Sequence, residues 1–325
     1  MNFLLSDLNN PNINDTQILY DDIIFLQYKN ILELIKNKID NHFKEWEISK
    51  KMIHDFEYIY TSSNLKKNIC KFNPISRSFF KLQEIIYYYH ISTPKKALCL
   101  AEAPGGFIQC LLNLSPTISI FGITLLSQDK KIPYWNNSLL NHNNIQLLKG
   151  IHQNGDLYDL KNIFSFIQTI GKSSIDFITG DGGIDYSNDY NKQELNSLRL
   201  IYSEIFLALN LQSIHGTFIC KIFDIFTQNT IQLIYLLYLS YEKIFIHKPS
   251  MSRFSNSEKY IICINFKGYN KTIINQMIHH FHDNSIRNNI SKYFLDELNK
   301  FNQMYIHEQK KHIELGISYI QNNQL

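Results

Sequence analysis

The 325-residue chain has five cysteines, at positions 70, 99, 110, 220 and 263, and no two form a C-x-x-C pair. That spacing argues against a zinc site and against a disulfide frame, and the apolar segments around most of them suit reduced core thiols. Charge of one sign is scarce too: the formal net charge is +3. So small an excess creates no strong basic field by itself, although it is compatible with RNA binding. Long apolar runs are missing. The longest, around 231–239, is too short and too Tyr-rich to cross a bilayer and suits a buried helix. Residues 1–8 lack a basic start and a sustained apolar core, so no secretory leader is expected and the chain reads as soluble and intracellular. The dinucleotide fingerprint G-x-G-x-x-G is absent, which argues against nicotinamide or flavin use, and there is no internal repeat. His279, His280 and His282 beside Asp283 lack further ligands at evident spacing, so no metal is expected.

What is present is an α/β pattern with 44% hydrophobic residues, enough for a full core and flanking elements. The apolar run Ala97-Leu98-Cys99-Leu100 leads into Ala101-Glu102-Ala103-Pro104-Gly105-Gly106-Phe107. It reads as a strand ending in a glycine turn where backbone can approach a ligand closely. A second strand, Ile175 to Gly180, delivers Asp181 to its tip before Gly182-Gly183. A third, Gly216 to Asp224, is apolar except for Lys221, and a lysine inside such a run needs a carboxylate partner or a site to face. A polar loop, Lys248 to Lys259, feeds the strand Tyr260 to Phe266. Ser76-Arg77-Ser78-Phe79-Phe80-Lys81-Leu82 opens an amphipathic helix running through Tyr89.

Flanking these, Ile18, Ile24, Leu26, Ile31, Leu34 and Ile35 recur near helical spacing between Asp15 and Tyr60, as expected of helices packed on the central α/β domain. Thr61 to Asn73, with Lys66, Lys67 and Lys71, reads as a basic loop or a plain solvated linker. From Asn270 onward, Ile274, Met277, Ile278, Phe281, Ile290, Phe294, Leu298 and Phe301 set out a second helical pattern.

In order and wording, these segments, with Phe121-Gly122-Ile123-Thr124-Leu125, resemble the FtsJ-type ribose 2′-O-methyltransferases over about residues 71–268. The resemblance is closest to the cap-specific mRNA enzymes of eukaryotes and large DNA viruses. It implies a Rossmann-like sheet with helices on both faces and helical additions at each end: an N-terminal helical extension (1–65), a methyltransferase domain (66–268) and a C-terminal helical extension (269–325). It implies S-adenosylmethionine as cofactor, capped mRNA as substrate, and other capping enzymes or the transcription machinery as partners, with no membrane. Four residues match the family's Lys-Asp-Lys-Glu tetrad: Lys81, Asp181, Lys221 and Glu258. Cofactor contacts are implied for Ser76, the turn Ala101, Glu102, Ala103, Pro104, Gly105, Gly106 and Phe107, and for Thr124, Asp156 and Leu157. RNA contacts are implied for Asn191, Lys192, Gln193 and Asn256, with Arg253 nearby to pair with phosphate, although each is equally readable as a solvated loop residue.

The chemistry gives each tetrad member a task. Lys221 accepts or steers the 2′-hydroxyl proton while Lys81 and Asp181 fix the local field. Burial, Lys81 and the sulfonium are expected to lower the pKa of Lys221, with Asp181 and Glu258 opposing. The alternatives are an FtsJ-type enzyme acting on ribosomal or transfer RNA, and a catalytically silent capping-complex or RNA-binding subunit.

Overall fold

The computed structural model of the protein describes residues 1–5, 16–17, 21–61, 65–183 and 190–323. In chain order the elements begin with β1 (Asn2–Leu4), β2 (Thr16–Gln17), α1 (Leu26–Asp40), α2 (Phe43–Met52) and α3 (Ser78–Tyr88). The middle alternates strand and helix: β3 (Lys96–Leu100), α4 (Gly106–Leu114), β4 (Ser119–Ile123), α5 (Asn137–Leu140), β5 (Ile145–Leu148), α6 (Leu160–Ile170), β6 (Ile175–Gly180), α7 (Gln193–Leu211), β7 (Gln212–Ile222), α8 (Gln228–Ser240) and β8 (Tyr241–His247). The chain continues with β9 (Lys259–Phe266), α9 (Lys271–His279), β10 (Ile290–Ser291) and α10 (Lys292–Asn323).

Eight strands form one mixed sheet in the order β1-β8-β9-β7-β6-β3-β4-β5. Pairings from β7 to β5 are parallel, and β9, β8 and β1 add antiparallel strands at the other side. Side chains alternate across the sheet as a pleated strand dictates. Leu98, Leu100 and Ile178 join the core under α6, α7 and α8, whereas Ala97, Cys99 and Phe177 join the core under α3 and α4. Helices therefore cover both faces, as the Rossmann-like reading requires.

The sheet order places the chemistry. β3 and β6 are neighbours whose onward connections run to opposite sides, and ligands in open α/β sheets bind outside the carboxyl ends at such a reversal. Register brings Leu100 beside both Ile123 and Gly180, and Gly180 beside Cys220. The residues that follow, Ala101, Thr124 and Asp181, and Lys221 within β7, are thus neighbours at one sheet edge. Because β9 runs antiparallel, with Lys221 opposite Tyr260, the loop residue Glu258 starts from that same edge.

The flanks differ from the expected stripe in detail. Phe25, Leu32 and Ile35 are the buried residues of the α1 region, while Leu26, Ile31 and Leu34 are exposed. Ile18 lies outside the described residues. The reason is that α1 packs on α10 through one narrow side, which a count of apolar residues does not locate. In the C-terminal pattern Ile274, Met277, Phe281, Ile290, Phe294, Leu298 and Phe301 are all buried. The expected linker at 61–73 is tied down where it is described: Ile69 and Cys70 donate backbone N–H bonds to Tyr58 and Ile59. No described helix is long and apolar enough to cross a membrane.

Candidate active site

Two oppositely charged pairs meet at the carboxyl edge of the sheet. Lys81, near the start of α3, places Nζ 2.6 Å from Glu258 Oε1. Lys221 places Nζ 3.3 Å from Asp181 Oδ1 and donates to the Asp181 main-chain carbonyl at 2.8 Å. Tyr260, opposite Lys221 in the sheet, donates its hydroxyl to Asp181 Oδ1 at 2.7 Å. Ser252 donates to the Glu258 carboxylate. Gly183 lies against this pair: a Cβ there would sit 3.2 Å from Lys221 Nζ, so the lysine end would have to shift by a few tenths of an ångström.

The pairs act on each other. Burial lowers the pKa of Lys221, as expected, but the carboxylates of Asp181, Glu258 and Glu204 outweigh it, and the net direction is upward. The expectation of a lowered value is thereby corrected for the protein alone: the acidic groups around Lys221, Asp181 first, outweigh its burial. Burial pushes Glu258 up, and the charges of Lys81, Lys221 and Lys248 carry it well below the usual carboxylate range. Lys221 therefore favours its ammonium form and Glu258 its carboxylate form.

The glycine turn after β3 follows from its residues. Ala101 has φ +51° and Gly105 φ +114°, and a Cβ on Gly105 would strike Leu139. A Cβ on Gly106 would collide with the hydroxyls of Ser76 and Ser78, so this glycine lets Ser76 lie directly against the turn. Glu102 has a different task from a ligand contact: its buried carboxylate accepts the N–H groups of Phe107 at 2.6 Å and Ile108 at 3.4 Å, capping α4. Burial raises its pKa well above the ordinary value. Phe107 is fully buried in the core, so its side chain also faces away from the turn. Thr124 follows β4, and Gly155 (φ +65°) allows the following segment to press on the Thr124 carbonyl. That contact brings Asp156 and the buried Leu157 beside the same edge; Asp156 Oδ1 accepts the Tyr158 N–H at 2.8 Å.

A cavity of about 510 Å³ is lined by Asn191, Gln193, Arg253 and Asn256 together with Phe43 and Trp46 of α2. Four of the five residues singled out for RNA thus share one groove, and Lys192 is exposed next to it. Arg253 is already engaged, however. Its Nε and Nη2 donate to the two oxygens of buried Glu57 at 3.0 and 2.8 Å, and Arg77 Nη1 lies 2.9 Å from the same carboxylate. Asn256 Oδ1 accepts from Lys248 Nζ and, at 3.2 Å, from the Glu258 N–H.

Several participants escaped the sequence reading. Glu57 bridges two arginines from an unremarkable N-terminal stretch. Glu204, in the middle of α7, lies buried beneath Gly180 and Gly182, where burial pushes its pKa up to about 8. Lys248 is buried at the base of the loop, donating to Asn256 and Glu258 carbonyls. An isolated Glu in a helix or Lys at a strand end carries no signal of burial in one sequence. Tyr260 had one usable signal, its place in the strand that the polar loop feeds.

Comparison with known proteins accords with this geometry. The family described as FtsJ-like methyltransferase matches residues 74–266. The cap-specific mRNA (nucleoside-2′-O-)-methyltransferase of Autographa californica nuclear polyhedrosis virus is 27% identical over 231 residues, which cover 70% of this chain and 84% of the viral protein. The human cap-specific mRNA (nucleoside-2′-O-)-methyltransferase 1 is 35% identical over 122 residues, 36% of this chain, and the match spans only 15% of that longer relative. A solved structure described as a ribosomal RNA methyltransferase from Plasmodium falciparum aligns with TM-score 0.44 and 23% identity over 60% of this chain and 99% of that one. The family match takes in all four charged residues and more than half of the sequence, and the chain belongs to the FtsJ-like methyltransferase family.

Proposed function

We propose that the protein methylates the ribose 2′-oxygen of the first transcribed nucleotide of capped mRNA, using S-adenosylmethionine. The observation that carries the reading is the meeting of Lys81–Glu258 with Lys221–Asp181 at the sheet edge that adjoins the glycine turn. Similarity to cap-specific enzymes, one of them covered over most of its length, supports the choice of substrate.

The residues present suit the cofactor. Ser76 abuts Gly106, and Thr124, Asp156 and Asp181 bring hydroxyl and carboxylate groups to the same edge. Ala101 to Gly106 offer backbone, and Leu157 an apolar surface; Glu102 and Phe107 shape the turn from inside. When bound, the sulfonium supplies the methyl group and a positive charge that opposes the ammonium form of Lys221. Lys221, in its amine form, would hold the 2′-hydroxyl and take its proton as the methyl group passes to the oxygen. Asp181, itself held by Tyr260, fixes Lys221 in position, and Lys81 and Glu258 hold the opposite side of the acceptor. Positioning of this sort supplies much of the rate in a displacement that needs no covalent help from the protein. The groove lined by Asn191, Gln193, Arg253, Asn256, Phe43 and Trp46 receives the RNA, with Lys192 exposed between Asn191 and Gln193 in the chain. Residues 66–268 form the catalytic unit in this reading, with 1–65 and 269–325 as additions.

The test is nucleoside digestion of capped RNA after incubation with labelled cofactor. Label in the 2′-O-methyl nucleoside next to the cap is the expected result. Equal labelling of uncapped RNA of the same sequence would move the protein to a different RNA class, and no labelling of either would remove the enzymatic reading.

A further inference from the structure

Glu258 is supported from outside the family match. Its loop, Pro249 to Glu258, is gripped by α10, whose residues lie some fifty positions further along the chain. Tyr305 donates its hydroxyl to the Asn256 carbonyl at 2.9 Å, and Gln309 Nε2 donates to the Ser255 carbonyl at 3.2 Å and lies 3.4 Å from Ser257 Oγ. Both side chains are buried, so water does not compete for these bonds. Asn256 transmits the grip: its Oδ1 accepts the Glu258 N–H. Beneath the loop, Lys259 Nζ sits 4.1 Å from the centre of the Tyr305 ring, and Ser257 donates to Asp224 at 2.8 Å. Further along α10, Gly316 accepts from Ser49 at 2.6 Å and leaves no room for a Cβ against Trp46, a residue of the groove wall.

We infer that α10 is a strut that sets the position of Glu258, with Tyr305 and Gln309 as its positioning residues, and that it ties this loop to the α2 wall of the groove. The inference rests on the proposed methyl transfer. Neither residue reaches the reacting atoms; each acts through the loop residues Ser255, Asn256 and Ser257. Loss of the grip displaces the Glu258 main chain and with it the partner of Lys81, leaving the glycine turn untouched.

Tyr305→Phe keeps the ring over Lys259 and removes only the hydroxyl; Gln309→Leu is a second, volume-matched probe. Expected for each is a fall in kcat of about five- to tenfold, with unchanged Kd for S-adenosylmethionine, a melting temperature lowered by only about 2–4 °C and faster amide hydrogen exchange at residues 252–258. His307→Ala, exposed on the same helix, should leave all four unchanged. Normal kcat in both folded variants, or parallel losses of kcat and cofactor affinity, would overturn the strut. If the unaltered protein methylates no RNA, the functional reading fails, and the exchange rates at 252–258 alone still decide whether α10 holds this loop.

Discussion

Lys81 and Glu258, 177 positions apart in sequence, meet at 2.6 Å. Each arrives on a different element, one on a helix on one face of the sheet and the other on the loop that enters β9. Removing the lysine leaves the carboxylate facing Ser252, Lys221 and Lys248. Lys81→Ala should cost about 1.5–3 kcal/mol, the range for a hydrogen bond to a charged group. Glu258 titrates below its unfolded value, so its share of stability is complete above the unfolded pKa and is lost progressively as pH falls from there through the folded value. The gap between the two proteins in urea unfolding should therefore be wider at pH 7 than at pH 3. A gap that does not narrow in acid would mean the pair carries no such share.

The upward direction of Lys221 has a kinetic consequence. If Lys221 takes the 2′-hydroxyl proton, the reactive amine is a minor form near neutrality, and single-turnover methyl transfer should rise about tenfold per pH unit through the neutral range before levelling. Lys221→Ala should lose at least about 100-fold in rate and lose this slope as well. A flat profile in the unaltered protein would assign Lys221 to orientation alone.

Glu204, raised to about 8 by burial, binds a proton in the folded protein that it releases when unfolded above the ordinary Glu range. Its contribution is complete below the unfolded pKa and is lost as pH rises toward 8. Glu204→Gln mimics the protonated form. The variant should match the parent near pH 4 and gain on it by a few kcal/mol, to order of magnitude, by about pH 8.5. Melting curves that stay parallel between those pH values would show that Glu204 does not titrate in this window.

Gly106→Ala places a methyl group into the Ser76 and Ser78 hydroxyls. Overpacking of this kind costs about 1–3 kcal/mol, and displacement of Ser76 should weaken S-adenosylmethionine binding in calorimetry by about tenfold or more. Adding Ser78→Ala should return part of the stability. Unchanged affinity in the single variant would separate this turn from the cofactor.

Arg253 offers a choice between two tasks. Its paired bonds to Glu57, at 3.0 and 2.8 Å, predict that Arg253→Ala destabilises the fold by about 3 kcal/mol through an underpaired buried carboxylate. The slope of log affinity for RNA against log salt should stay the same. A slope reduced by about one would instead identify a lost phosphate contact.

Much of this arrangement was legible in sequence because its signals are local. Ala97 to Leu100 before Gly105-Gly106, and Phe177 to Gly180 before Asp181, each carry a strand and the turn that ends it within a dozen residues. The four charged residues that meet at this edge could be picked out from such wording. Their electrostatics could not: whether burial or the carboxylates win at Lys221 depends on distances that no spacing gives. Glu102 illustrates a related limit, since a carboxylate in a glycine turn can face outward to a ligand or inward to the amides of α4, and only the fold decides. The loop support was hidden for a third reason. Asn256 and Tyr305 meet through tertiary packing, and nothing in either stretch refers to the other.

The cysteine pattern has a practical consequence. Four of the five thiols, at Cys99, Cys110, Cys220 and Cys263, are buried, and their pKa values are raised by burial, whereas Cys70 is partly accessible. Thiolate is the reactive form, so a maleimide dye should attach at Cys70 while the native fold persists. The protein thus comes with a built-in anchor for a fluorescent reporter on the stretch of chain just ahead of α3, and the proposed RNA docking can be tested by emission without engineering a new thiol.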